Sequence, residues 1–126
     1  MKSKKRQKYS VVVAENDSEN RLSMCSLVAS LNLKAMPTCS GLDTIREVTR
    51  GQVALVLLDV DLALPDGKSI FYEIRKVAPK LPVIMMSSAM TSTLARRLTD
   101  RGAQGFLLKP VQRAHLAMML FQYLPG

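Results

Sequence analysis

Five apolar runs alternate along the chain with five stretches whose apolar residues recur at helical spacing. Tyr9 to Ala14 is a β-branched run that stops at Glu15-Asn16-Asp17. Ser18 or Asp17 can cap the helix that follows, with Met24, Leu27, Val28 and Leu31 on one face, through to about Leu33. Lys34 to Cys39 reads as a short strand, and Pro37 within it predicts a sheet edge because proline has no N–H to give a neighbour. A second helix spans Leu42 to Arg50 and is closed by Gly51.

The six residues from Val53 to Leu58 are apolar without alternation, as a strand covered on both faces requires. The run ends in Asp59 and Asp61, followed by the turn signal Pro65-Asp66-Gly67. Ile70, Phe71 and Ile74 mark a third helix that stops near Ala78-Pro79. Leu81 to Met86 is the next strand, ending in Ser87-Ser88, and a helix from about Ser92 to Arg101 precedes Gly102. Gly105 to Leu108, ending in Lys109-Pro110, and a last helix from about Arg113 to Leu124 complete the series.

Five strand–helix units with short links predict an α/β fold: one doubly wound, five-stranded parallel sheet of flavodoxin-like (βα)5 form. The strand order 2-1-3-4-5 places the proline-bearing strand at an edge and the longest apolar strands in the middle. Polar residues then converge at the strands' carboxyl ends: Glu15, Asn16 and Asp17, Asp59, Ser87 and Lys109. Open α/β sheets bind ligands at this end.

Length and composition narrow the picture. With 126 residues, 48% of them hydrophobic and 22% charged, the chain suits one soluble domain. No apolar run approaches the roughly 18 residues that span a bilayer, so a cytoplasmic protein without membrane contact is expected. Lys2, Lys4, Lys5, Arg6 and Lys8 supply five of the 18 basic residues, leaving 13 against 10 acidic ones in the remainder. Residues 1–8 are read as a flexible basic tail and 9–126 as the domain. Cys25 and Cys39 have neither CxxC nor Cys/His spacing, which predicts buried free thiols rather than a disulfide or zinc site.

Clustered carboxylates repel unless a hard cation bound by oxygen holds them, and magnesium (Mg2+) suits such a set where a phosphate completes the shell. A lysine ammonium and a serine hydroxyl at the same rim are donors for phosphoryl oxygens. The set points to phosphoryl transfer onto an aspartate.

Glu15-Asn16, Asp59, Ser87, Phe106 and Lys109-Pro110, with Asp66-Gly67 and Gly102-Ala103, make the chain resemble a response-regulator receiver domain from about Tyr9 to Leu124. The gaps of 28 positions from Asp59 to Ser87 and 22 from Ser87 to Lys109 match that family's spacing. The resemblance implies Asp59 as phosphoacceptor, Lys109 and Ser87 as phosphoryl-binding groups, Ser87 and Phe106 as the switch, and Glu15, Asn16, Asp59 and Asp61 as metal ligands. It implies a sensor histidine kinase or phosphotransfer protein as donor. Nucleic acid would be reached only through an output domain outside these residues. Asp61 also fits the family's local Asp-x-x-x-Pro spacing, but choosing it leaves Asp59 buried as an unpaired charge. Asn16, where relatives carry a second acid, weakens the expected magnesium site.

Phe106 also reads as a plain core aromatic, and His115 as a surface or packed residue away from the acids. The last helix is apolar nearly all round, with Ala114, Ala117, Met118 and Phe121 on one face and Leu116, Met119, Leu120 and Tyr123 on others. That excess fits a homodimer or output-partner interface as well as simple burial. Two other functions remain: a degenerate receiver that binds partners without phosphorylation, and a haloacid-dehalogenase-type phosphatase with Asp59 as nucleophile and Asp61 as acid–base. A signalling module with at most slow self-dephosphorylation is expected rather than an enzyme.

Overall fold

The computed structural model describes residues 9–62 and 70–124. The expected tail at 1–8 and the Pro65-Asp66-Gly67 turn lie outside the described residues. Five parallel strands, β1 (Ser10–Ala14), β2 (Lys34–Thr38), β3 (Val53–Asp59), β4 (Val83–Ser87) and β5 (Gly105–Leu108), form one sheet in the order β2-β1-β3-β4-β5. Between and after them run α1 (Ser18–Ser30), α2 (Gly41–Arg50), α3 (Ile70–Val77), α4 (Ser92–Asp100) and α5 (Arg113–Tyr123). The predicted order holds, with Pro37 exposed on the edge strand β2.

Strand parity divides the core into two layers. Val12, Ala14, Val56, Leu58, Val83 and Met85 pack with Val48, Phe71, Ile74 and Leu98 of α2, α3 and α4. Val11, Val13, Leu55, Leu57, Ile84, Met86 and Leu107 face Met24 and Val28 of α1 and Leu116 and Leu120 of α5. Central strands buried on both faces explain their unbroken apolar runs.

Helix starts follow side-chain capping. Asp17 accepts from the Asn20 N–H, Ser40 from Asp43 and Thr91 from Leu94. Gly51 closes α2 with φ +86°, a left-handed conformation that glycine adopts without a Cβ clash.

Two boundaries differ from expectation by more than one residue. The first helix ends at Ser30 rather than near Leu33, because the Leu31 and Asn32 N–H groups turn back to Val28 and Ala29 and Asn32 takes φ +62°. Leu81 and Pro82 precede β4 instead of opening it: the Leu81 N–H closes a turn on Ala78, and Pro82 has no donor for a ladder. The cysteines also need correction. Both are free, but Cys25 is only half-buried and Cys39 is exposed in the β2–α2 loop, its thiol 3.6 Å from Asp43 Oδ2.

Candidate functional site: a carboxylate–lysine cleft at the strand ends

Register builds the site. Ala14 pairs with Leu58 across β1 and β3, so Glu15 and Asp59 are the next residues on adjacent strands. Ser87 pairs with Leu108, and the Lys109 N–H continues the ladder to the Ser87 carbonyl at 2.9 Å. Glu15, Asp59 and Lys109 have the parity of Val13, Leu57 and Leu107 and so fall on the α1–α5 side of the sheet. Ser87 and Phe106 have the opposite parity, on the α3–α4 side.

The three charged groups form one cluster. Lys109 Nζ donates to Glu15 Oε1 and, at 3.0 Å, to Asp59 Oδ2. The remaining oxygens are also held: Glu15 Oε2 accepts from the Asp17 N–H at 3.2 Å, and Asp59 Oδ1 from the Asp61 N–H at 3.1 Å. Glu15 is 1% exposed and Asp59 6%. Carboxylates this buried survive only when paired, and here one ammonium serves both.

Protonation preferences diverge as a result. Burial pushes the Glu15 carboxyl above its usual range, with Asp59 beside it adding to the effect against the opposing bonds from Lys109 and Asp17. Burial also disfavours the Asp59 carboxylate, but hydrogen bonds from Glu15, the Asp61 N–H and Lys109 outweigh it and hold Asp59 below its usual value. Burial would lower the Lys109 ammonium, yet its bonds to Glu15 and Asp59 raise it overall. The cluster therefore keeps Asp59 as the anion and Lys109 as the cation.

A cleft of about 480 Å³ opens over this cluster, lined among others by Glu15, Asn16, Asp59, Asp61 and Lys109. All four expected metal ligands thus share one cleft. Asp61 is exposed and Asp59 buried, but burial alone does not separate their roles, because Asp59 is paired with Lys109. Ser87 does not line the cleft; its hydroxyl accepts from the Ala89 N–H at 3.1 Å, and the exposed Ser88 lines it instead. Phe106 is half-buried against the α3–α4 core layer. His115, half-buried on α5, is not among the cleft residues.

Arg21 was not apparent from the sequence. Its guanidinium donates to the Glu15 and Asn16 carbonyls at 2.9 and 3.3 Å, fixing the loop that leaves β1. Nothing in apolar periodicity marks it, although it lies one turn beyond the capping Asp17. Asn20 also lines the cleft.

The response regulator receiver domain family model matches residues 11–121. The chain belongs to this family.

This receiver domain is 31% identical over 101 residues to the DNA-binding transcriptional regulator NtrC of Bradyrhizobium sp. (strain RP501 Parasponia), covering 80% of this chain and 21% of that protein. It is 36% identical over 74 residues to the transcriptional regulatory protein GlrR of Escherichia coli (strain K12), covering 59% of this chain and 17% of that protein. The chain thus spans about a fifth of these relatives' length. Among solved structures it is similar to the receiver domain of sensor histidine kinase PA1611 from Pseudomonas aeruginosa PAO1, which holds magnesium in its active site cleft. The TM-score is 0.80 at 22% identity, covering 91% of this chain and 96% of that one. Chemotaxis protein CheY4 of Vibrio cholerae gives 0.82 at 15% identity, covering 92% and 98%.

The donor set suits a hard cation: the Glu15, Asp59 and Asp61 carboxylates and the Asn16 amide all offer oxygen ligands. Among the described residues no three acidic, cysteine or histidine side chains group as a metal site, consistent with asparagine at position 16.

Proposed function

We propose that this two-component receiver domain accepts a phosphoryl group on Asp59 from the phosphohistidine of a sensor kinase or phosphotransfer protein. The observation that carries the reading is the Glu15–Lys109–Asp59 cluster at the carboxyl ends of β1, β5 and β3, with Asp59 held as the anion. An ionised carboxylate is the nucleophile the reaction needs. One Asp59 oxygen attacks phosphorus while the phosphorus–nitrogen bond of the donor breaks, and the imidazole leaves with the electron pair. Lys109, already bonded to Asp59, moves to the incoming phosphoryl oxygens and offsets their charge. The Asp61 N–H fixes the other Asp59 oxygen and so orients the attack.

Glu15, Asp59, the Asn16 amide and Asp61 would hold magnesium, which when bound supplies charge neutralisation at the phosphoryl group. In the switch, the Ser87 hydroxyl gives up its bond from Ala89 to reach the phosphoryl group, and Phe106, on the same side of the sheet, repacks toward the α4 side. Met118, 61% exposed, and Phe121, 41% exposed, make the last helix a candidate surface for a homodimer or output partner. None of the described helices is long and apolar enough to cross a membrane, and we place the domain in the cytoplasm.

Incubation with magnesium and a small phosphodonor, followed by intact mass measurement, tests the reading. Wild type is expected to gain the mass of one phosphoryl group and Asp59→Asn none. No gain at any magnesium concentration would favour the degenerate receiver, which Asn16 and the single shared ammonium support. Sustained phosphate release from a generic phosphoester would favour the phosphatase and contradict the assignment as a signalling module without turnover.

A further inference from the structure

Charge is distributed unevenly along the sheet axis. The carboxyl ends of the strands carry four acids, Glu15, Asp17, Asp59 and Asp61, around Lys109, whereas the opposite ends are basic. Lys34 opens β2, Arg50 leads into β3, Lys80 into β4 and Arg101 into β5, and all four are exposed. In sequence, Lys8 and four further basic residues lead into β1. Read in sheet order, four of the five strands are thus entered from an exposed basic residue among the described positions.

Neighbouring strands are about 4.8 Å apart, so the four positions span a row of roughly 19 Å from β2 to β5. Among the described residues the side chains of Lys34, Lys80 and Arg101 have no ion pair or hydrogen bond, and Arg50 is paired only with Glu47, at 2.9 Å. Lys34 and Arg50 flank a polar cleft of about 380 Å³ with Ser10 and Gln52. Among the described residues Glu47 and Asp100 are the acids near this end, two against the four cations of the row.

Complementing helix dipoles is the simplest alternative, since cations favour helix C-termini. It accounts for Arg50, the last residue of α2, and Arg101, the cap of α4. That effect fades beyond the last turn, and it does not account for Lys34 or Lys80, which lie four residues past Ser30 and three past Val77. A membrane surface fits less well. The large apolar side chains exposed near this end, Val77 and Phe121, sit on α3 and α5, on opposite faces of the sheet, and cannot enter one bilayer surface together.

We propose that this end of the sheet binds a linear polyanion, the phosphate backbone of a nucleic acid, through Lys34, Arg50, Lys80 and Arg101. Binding is electrostatic and independent of base sequence, because it rests on lysine and arginine contacts to phosphates rather than on contacts to base edges. It requires neither phosphorylation nor magnesium, so it stands apart from the reaction at Asp59.

Fluorescence anisotropy of the full chain with a short dye-labelled DNA duplex across a salt series, without phosphodonor or magnesium, tests it. Each phosphate contact contributes about 0.9 to the slope of log K against log salt. The combined variant Lys34→Gln, Arg50→Gln, Lys80→Gln and Arg101→Gln should lose affinity and lower that slope by about 3 to 4. Arg46→Gln with Arg96→Gln, exposed arginines outside the row, should leave the slope unchanged. If the combined variant does not fold, Lys34→Gln/Arg50→Gln and Lys80→Gln/Arg101→Gln should each lower the slope by about 2. The proposal is overturned if wild type does not bind the duplex at low salt, or if row variants keep the wild-type slope because the basic residues before Tyr9 suffice. Capture by anionic phosphatidylserine vesicles with none by the duplex would also overturn it.

Discussion

Replacing Lys109 with methionine keeps most of the side-chain volume and removes the one cation shared by two buried carboxylates. Their side chains are 2% and 8% exposed, against 17% for the lysine. At 3.0 Å and an effective dielectric of about 20, the contact with Asp59 alone is worth roughly 5 to 6 kcal/mol before desolvation is counted. The loss cannot grow without limit, because an uncompensated carboxyl can take up a proton. From an ordinary carboxyl value near 4, that costs about 5 kcal/mol at pH 7.5 and about 2 kcal/mol at pH 5.5. Lys109→Met should therefore lose about 3 to 5 kcal/mol at pH 7.5, the range for breaking a buried pair, and no more than about 2 kcal/mol at pH 5.5. With a urea m-value near 2 kcal/mol/M, the midpoint at pH 7.5 should fall by roughly 1.5 to 2.5 M. Circular dichroism during urea unfolding at both pH values measures this. A loss below about 1 kcal/mol at pH 7.5, or an equal loss at both, would refute the shared-cation geometry.

Three further outcomes are expected. Glu15 has a raised folded pKa, so its contribution is present at low pH and lost as pH climbs from 4.5 through the raised value; Asp59 has the opposite sign, losing its contribution as pH falls below 3.8. Urea unfolding of Glu15→Gln at several pH values should therefore show stability relative to wild type improving as pH rises above 4.5, and a constant difference would count against the burial of an anionic Glu15. Gly51→Ala, at φ +86° with open space where the Cβ would sit, should cost about 1 kcal/mol from backbone strain alone, measurable as a lower thermal midpoint. Arg75→Met should cost about 2 to 3 kcal/mol in the same assay, because the guanidinium donates to Leu81 O at 2.6 Å, Gly102 O at 2.8 Å and Gln104 Oε1 at 3.1 Å and lies 5.2 Å from the Phe71 ring centroid.

The elements and strand order were legible because every strand of this sheet is either an apolar run with a polar residue only at its end or is marked as an edge by Pro37, and because Gly51 and Gly102 punctuate helix ends. Boundaries were less so: Leu31 and Leu33 continue the apolar pattern past the point where the backbone turns at Asn32, and Leu81 looks like strand until Pro82 removes the ladder donor. For the site, Glu15, Asp59 and Lys109 were visible as strand-end polar residues. Their mutual contact depends on register and parity, which spacing along the chain does not encode. Parity also separates Ser87 from the cleft that Ser88 lines. Arg21 acts through backbone carbonyls, a contact that depends on how the loop closes. Cys39 was expected to be buried, but it occupies the loop just before a helix cap rather than the strand interior.

The assignment of Asp59 rather than Asp61 as acceptor is tested most directly by locating the phosphoryl group. After reaction with magnesium and a small phosphodonor, borohydride reduces an aspartyl phosphate to a stable homoserine that peptide mass spectrometry can place. Wild type is expected to carry the conversion at Asp59 alone, and Lys109→Met to show little of it. Conversion at Asp61 with Asp59 unmodified would contradict the role given to the Lys109-paired carboxylate.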